Sequence, residues 1–143
     1  MESINILLIE DNPGDIELTR ESLSRGKLKN NLIVVENGED ALNFLFQREQ
    51  YVDALRPDII LLDLNLPKVS GRGVLQALKQ DKKTQDIPVI ILSSSQDASD
   101  IRESYQLHAN CFVTKPVSLE SFINVVQSIE SFWIDIVKLP TAK

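Results

Sequence analysis

The stretch Asp58-Ile-Ile-Leu-Leu-Asp63-Leu-Asn-Leu-Pro67 limits the possible folds of this chain more than any other. Its aliphatic run from Ile59 to Leu62 leaves no polar face. A strand built from it must be covered on both sides, as the strands of a parallel sheet are. Asp63 follows the run directly. A doubly covered strand has room for a carboxylate only where it emerges at its carboxyl end, and that edge is where open α/β sheets bind ligands.

Other apolar runs repeat the pattern: Ile4 to Ile9 (with polar Asn5), Leu32 to Val35, Pro88 to Leu92, and Cys111 to Val113. Segments of helical character separate them. Asn12 is placed to cap a first helix and Pro13 suits its first turn. Ile16, Leu18, Leu23 and Leu28 give that helix a loose apolar stripe, which Gly26 is expected to end. Asn37-Gly38 opens a second helix with Ala41, Leu42, Leu45 and Phe46 on one face, and a polar connection over 48–57 follows. Ser70-Gly71 precedes a third, carrying Val74, Leu75 and Leu78. Asp97 is expected to cap a fourth through Ile101, Tyr105 and Leu107, and Ser118 a last one. Five strands alternating with five helical stretches predict βαβ units with right-handed crossovers, hence a doubly wound α/β domain.

Composition narrows the classes of partner. A net charge of −6 leaves no basic footprint for nucleic acid. No apolar run reaches transmembrane length and the N-terminus lacks a signal-peptide pattern, so a cytoplasmic protein without a membrane partner is expected. The single cysteine, Cys111, rules out an internal disulfide and reads as a buried or half-buried thiol. Without repeats or linkers, residues 1–143 read as one domain, with an extended helix or tail from about residue 130.

Polar residues with chemical potential stand at the ends of the apolar runs: Glu10 and Asp11, Asp63 with Asn65, Ser93, and Lys115. Parallel strands would bring all of them to one edge. Crowded carboxylates repel, and Mg²⁺ is the usual remedy because it takes oxygen ligands and keeps several waters. A carboxylate can also attack phosphorus to form an acyl phosphate. The charge that develops on the phosphoryl oxygens then needs a metal, an ammonium and a hydroxyl donor. Asp11 suits the metal, Lys115 the charge and Ser93 the hydroxyl, although Ser94 and Ser95 each carry a hydroxyl as well.

These residues, in this order and at these strand ends, resemble the receiver domains of bacterial two-component response regulators. The resemblance covers the chain except its last dozen residues. It implies a flavodoxin-like receiver fold, a five-stranded parallel sheet of order 2-1-3-4-5. It implies that Asp63 accepts a phosphoryl group from a sensor histidine kinase. Asp11 and Asp63 would bind Mg²⁺ (or Mn²⁺) through their side chains, Asn65 through its backbone carbonyl, and Glu10 through water. Ser93 would couple to an aromatic residue of the fifth strand, here Phe112, as the switch. Phe lacks the hydroxyl of the commoner Tyr, and Phe112 reads equally as plain core. A cis peptide before Pro116 is also implied.

A narrower resemblance rests on Ile-Glu-Asp-Asn-Pro-Gly-Asp at 9–15, on Arg56-Pro57-Asp58 after the lengthened 47–57 connection, and on Leu-Asn-Leu-Pro-Lys at 64–68. It points to single-domain regulators that serve phytochrome-type histidine kinases in cyanobacteria and other bacteria. The expected role is a phosphoacceptor signalling protein, stand-alone or a relay intermediate, that assists its own phosphotransfer and dephosphorylation but is not an enzyme. Two alternatives compete. An aspartyl-phosphate hydrolase normally carries a second acid two residues after the nucleophile, where this chain has Asn65. A receiver-like scaffold that takes no phosphate would not need Asp63, Asp11 and Lys115 intact.

Phe122, Val125, Val126 and Ile129 make one stripe, and Phe132, Trp133, Ile134, Ile136, Val137 and Leu139 continue too densely for one buried face. Either the tail folds back on its own domain or it forms a homodimer, with Phe132, Trp133, Ile136 and Val137 in an isologous interface. The downstream protein is not legible.

Overall fold

The computed structural model describes residues 4–24, 29–64, 66, 68–93 and 111–114. Five strands form one parallel sheet: β1 (Ile4–Ile9), β2 (Asn30–Val35), β3 (Ile59–Asp63), β4 (Val89–Ser93) and β5 (Cys111–Thr114), in the order β2-β1-β3-β4-β5. The expected order is the observed one. The described helices are α1 (Pro13–Ser24), α2 (Gly38–Leu45) and α3 (Gly71–Gln80), with a 3₁₀ turn at Glu49–Tyr51. The expected fourth and fifth helices, the end of α1 at Gly26, the peptide before Pro116 and the apolar tail lie outside the described residues.

The aliphatic strands divide their side chains between two cores, as the period of two in a pleated strand dictates. Leu7 and Ile9 of β1, Ile60 and Leu62 of β3, and Val89 and Ile91 of β4 face α2 and α3. There they meet Ala41, Phe44 and Leu45, and Val74, Leu75 and Leu78. The alternate residues Ile6, Leu8, Ile59, Leu61, Ile90 and Leu92 share the opposite core with Ile16 and Leu23 of α1. Burial of each such side chain contributes roughly 1.5–3 kcal/mol, so the doubly wound arrangement follows from strands that have no polar side to expose.

Side chains already visible in the sequence set the helix starts. Asn12 Oδ1 accepts the N–H of Asp15 (3.0 Å), Asn37 Oδ1 that of Asp40 (2.8 Å), and Ser70 Oγ that of Gly73 (3.1 Å). Each satisfies an otherwise orphaned helix N–H. The stripe of α2 needs one correction. The helix ends at Leu45, Phe46 is its C-cap, and Phe44 is the buried aromatic residue. Tyr51 of the 3₁₀ turn packs edge-on against Phe44 with ring centroids 5.4 Å apart, so the connection supplies part of the core that covers α2.

Candidate functional site

The strand register gathers the acidic residues. β1 and β3 pair with Ile9 opposite Leu62, and one further step sets Glu10 beside Asp63. A carboxylate oxygen from each of Glu10, Asp11 and Asp63 lies within 4.8 Å of the other two. Glu10 and Asp63 are buried, whereas Asp11 is exposed. Glu10 N donates to Val35 O (3.0 Å), tying the end of β1 to β2. Its Oε2 accepts the N–H of Asn12 (3.2 Å), and Asn12 in turn caps α1. The acidic cluster and the start of α1 are therefore one hydrogen-bonded unit.

The chain leaving Asp63 is held just as closely from the other side. Gly71 N donates to Leu64 O (3.1 Å). A Cβ on Gly71 would stand 2.5 Å from Asp63 O and from Leu64 Cα. A Cβ on Gly38 would stand 1.9 Å from Val69 O. Only glycine allows the first turns of α2 and α3 to approach this loop so closely. Lys68 takes a left-handed conformation (φ 66°), and its Nζ lies 3.7 Å from Glu39 Oε2. That ion pair is exposed, so it contributes at most about 1 kcal/mol and guides the loop rather than holding it.

Two like charges 4.8 Å apart repel by about 3 kcal/mol at an effective dielectric constant near 20. Burial of Glu10 and Asp63 keeps water from relieving this, so the site favours a cation. Its donors are all carboxylate oxygens, which match a hard divalent ion such as Mg²⁺ or Mn²⁺ and not a softer metal that prefers nitrogen or sulfur. The residues present fit such an ion, and its charge would offset the repulsion. Asp11, as the exposed member, offers the ligand nearest solvent.

Ser93 is the last residue of β4, on the strand next to β3, where Asp63 pairs with Leu92. The backbone thus brings Ser93 to the same sheet edge as Asp63, and Thr114 of β5 pairs with Ser93. Phe112 is in β5 opposite Ile91. Asn65, Lys115, Phe132, Trp133, Ile136 and Val137 lie outside the described residues, and Lys115 follows Thr114 directly in the chain. Sequence reasoning did not single out Gly38 and Gly71 as site-forming residues. Each stood next to a good capping residue, Asn37 and Ser70, and that pairing was the available signal.

Known proteins share this fold over most of the chain. The model of the response regulator receiver domain matches residues 6–127. Response regulator Rcp1 of Synechocystis sp. is 44% identical over 137 residues, covering 96% of this chain and 93% of that protein. The crystal structure of a phosphorylated cyanobacterial phytochrome response regulator, RcpA, superposes with a TM-score of 0.90 at 43% identity, covering 93% of this chain and 95% of that one. The Mn²⁺-bound form of Rcp1 gives 0.88 at 43% identity, with 91% and 94% covered.

Proposed function

This chain belongs to the response regulator receiver family, and from that premise we propose that it takes a phosphoryl group from a phytochrome-type sensor histidine kinase onto Asp63. The observation that carries the reading is the convergence of Glu10, Asp11 and Asp63 within 4.8 Å at the carboxyl ends of two adjacent strands.

In the proposed reaction an Asp63 carboxylate oxygen attacks phosphorus. The acyl–phosphate bond forms as the phosphorus–nitrogen bond of the kinase phosphohistidine breaks, and the imidazole nitrogen keeps the electron pair. Asp11 and Asp63 would hold Mg²⁺ (or Mn²⁺) by their side chains, Asn65 would add its backbone carbonyl, and Glu10 would act through water. When bound, the ion offsets charge on the phosphoryl oxygens. Ser93 and Lys115 supply the hydroxyl and the ammonium for the same oxygens. The manganese-bound form of Rcp1 supports the metal assignment, since that relative shares the fold and 43% of the sequence. Likeness to the phosphorylated RcpA structure supports the phosphoacceptor role.

Residues 1–143 act as one receiver unit in the cytoplasm; among the described residues no helix is long and apolar enough to cross a membrane. The signal leaves through Ser93 and Phe112 and through a homodimer contact made by Phe132, Trp133, Ile136 and Val137. The test is phosphotransfer from a purified, autophosphorylated phytochrome-type kinase. Label should move to the wild-type chain within the time course and not to Asp63→Asn. Equal labelling of the two chains, or none from such kinases while other histidine kinases label Asp63, overturns the assignment.

A further inference from the structure

The connection between α2 and β3 builds a second surface, at the opposite end of the sheet from Asp63. Both α2 and α3 start at the edge that carries the carboxylates, so their C-terminal ends meet at the far edge. There they and the 46–56 segment enclose a groove of about 920 Å³. Leu42, Leu45, Phe46, Leu55 and Ala77 make its apolar wall. Arg48, Arg56 and Lys83 line it as cations, against a single carboxylate, Asp81. On a chain of net charge −6 this is a local reversal of sign.

Two further observations fall on the same segment. Leu55 (66% exposed) and Val52 (61%) are the exposed large hydrophobic residues among the described ones. Gln47 and Glu49 both take left-handed backbone conformations (φ 55°), which non-glycine residues rarely adopt and which cost about 1–2 kcal/mol each. The strain is held by Gln47 Nε2 donating to Ala54 O (2.8 Å), by Tyr51 packed on Phe44, and by Arg48 N donating to Asn43 O (2.8 Å). Arg48 also sits over the ring of Phe46 (5.3 Å), and Arg56 Nε donates to Lys83 O (3.4 Å), so one cation is set against an aromatic ring and a second against the backbone of the segment after α3.

We propose that this groove docks an acidic amphipathic helix of a partner protein. Apolar side chains spaced i, i+3, i+4, i+7 would lie along the wall and against Leu55, with Asp and Glu on the flanks facing Arg48, Arg56 and Lys83. A small organic anion would satisfy the cations but leave Leu55 and Val52 uncovered. A basic helix would face three like charges. The surface is remote from the carboxylates, so it does not depend on the phosphoacceptor reading.

The test uses the full chain and two synthetic peptides of the same leucine pattern, one with Glu flanks and one with Lys flanks, read by fluorescence anisotropy and by backbone chemical-shift mapping. The Glu peptide should bind saturably, shift signals from 42–56 and 77–84, and outbind the Lys peptide by about tenfold or more. The double variant Arg48→Glu, Arg56→Glu should reverse that preference, and Leu55→Ser should weaken both peptides. Because these side chains are exposed, the variants should keep the wild-type circular dichroism spectrum. Equal affinity for the two peptides, no binding, or shifts mapped elsewhere overturns the proposal. So does a change in sedimentation of the Leu55→Ser variant alone, which would mean that a second copy of the chain covers the groove.

Discussion

Replacing Gly71 with alanine tests how the fold positions Asp63. Gly71 does not occupy a left-handed conformation, so alanine suits its backbone, and helix propensity alone would favour the change by up to ~1 kcal/mol. The obstacle is contact. The new Cβ would stand 2.5 Å from Asp63 O and Leu64 Cα, where ordinary contact begins at 3.4 Å, so the chain after Asp63 must retreat by about 0.9 Å. Both atoms belong to the backbone, and no side-chain rotation relieves them. Overpacking of this kind costs about 1–3 kcal/mol, which leaves a net destabilisation of about 0–2 kcal/mol if the whole propensity gain is realised. Function should suffer more than stability, because a misplacement near 1 Å costs on the order of 10²-fold in a reaction that depends on alignment. Urea unfolding and the rate of phosphorylation by acetyl phosphate with Mg²⁺ measure the two effects. Gly73→Ala is the control: its nearest contacts are Val69 Cγ1 (3.1 Å) and Ser70 Oγ (3.5 Å), both movable side-chain atoms. The control should keep its phosphorylation rate. If Gly71→Ala keeps it too, the close approach of α3 does not set Asp63 in place.

Other residues give separate tests. Glu10→Gln removes one carboxylate charge from the acidic cluster, so Mg²⁺ affinity should fall roughly tenfold; thermal unfolding with and without Mg²⁺ reads it, and an unchanged Mg²⁺-dependent shift would contradict a part for Glu10 in the site. Asn12→Ala removes the cap that accepts the Asp15 N–H and should cost about 0.5–2 kcal/mol in urea unfolding, with α1 losing amide protection first. Lys79 is held below its ordinary value of 10.5 by burial, an effect that Asp86 partly offsets. The unfolded chain therefore binds the extra proton between the lowered value and 10.5, and this residue's contribution to stability rises with pH across that window. Unfolding curves taken toward pH 10.5 should show the increment in wild type and lack it in Lys79→Met. Lys79→Met should also be less stable near neutrality, since Nζ donates to Gln85 O (3.1 Å) and Ile87 O (2.8 Å).

The parts of the fold that were legible in the sequence are those fixed by local pattern. Ile59 to Leu62 had no polar side, so β3 had to be doubly covered, and the register beside β1 then brought Glu10 to Asp63. Asn12, Asn37 and Ser70 marked helix starts because only such side chains accept orphaned N–H groups there. Long-range fit was not legible. Phe44 rather than Phe46 is buried because Tyr51, seven residues on, returns to cover it. The bounds of β2 extend two residues earlier than the apolar run, because pairing with Ile4 and Asn5 of β1 recruits Asn30 and Asn31 whatever their polarity. Nor does any local pattern show that Gly38 and Gly71 clamp the loop after Asp63, since the atoms they approach belong to residues distant in the chain or across a turn. The groove at the far end is a property of the same kind, made by three segments that meet only in the folded chain.

The central claim is that Asp63, beside Glu10 and Asp11, is the phosphoacceptor. The most direct measurement is peptide-resolved mass spectrometry of the full chain after incubation with acetyl phosphate and Mg²⁺, in wild type and in Asp63→Asn. One phosphoryl group on the peptide containing Asp63, dependent on Mg²⁺ and missing from the variant, is the predicted result. An adduct of equal yield in Asp63→Asn, or none in a wild-type chain shown to bind Mg²⁺, would contradict it.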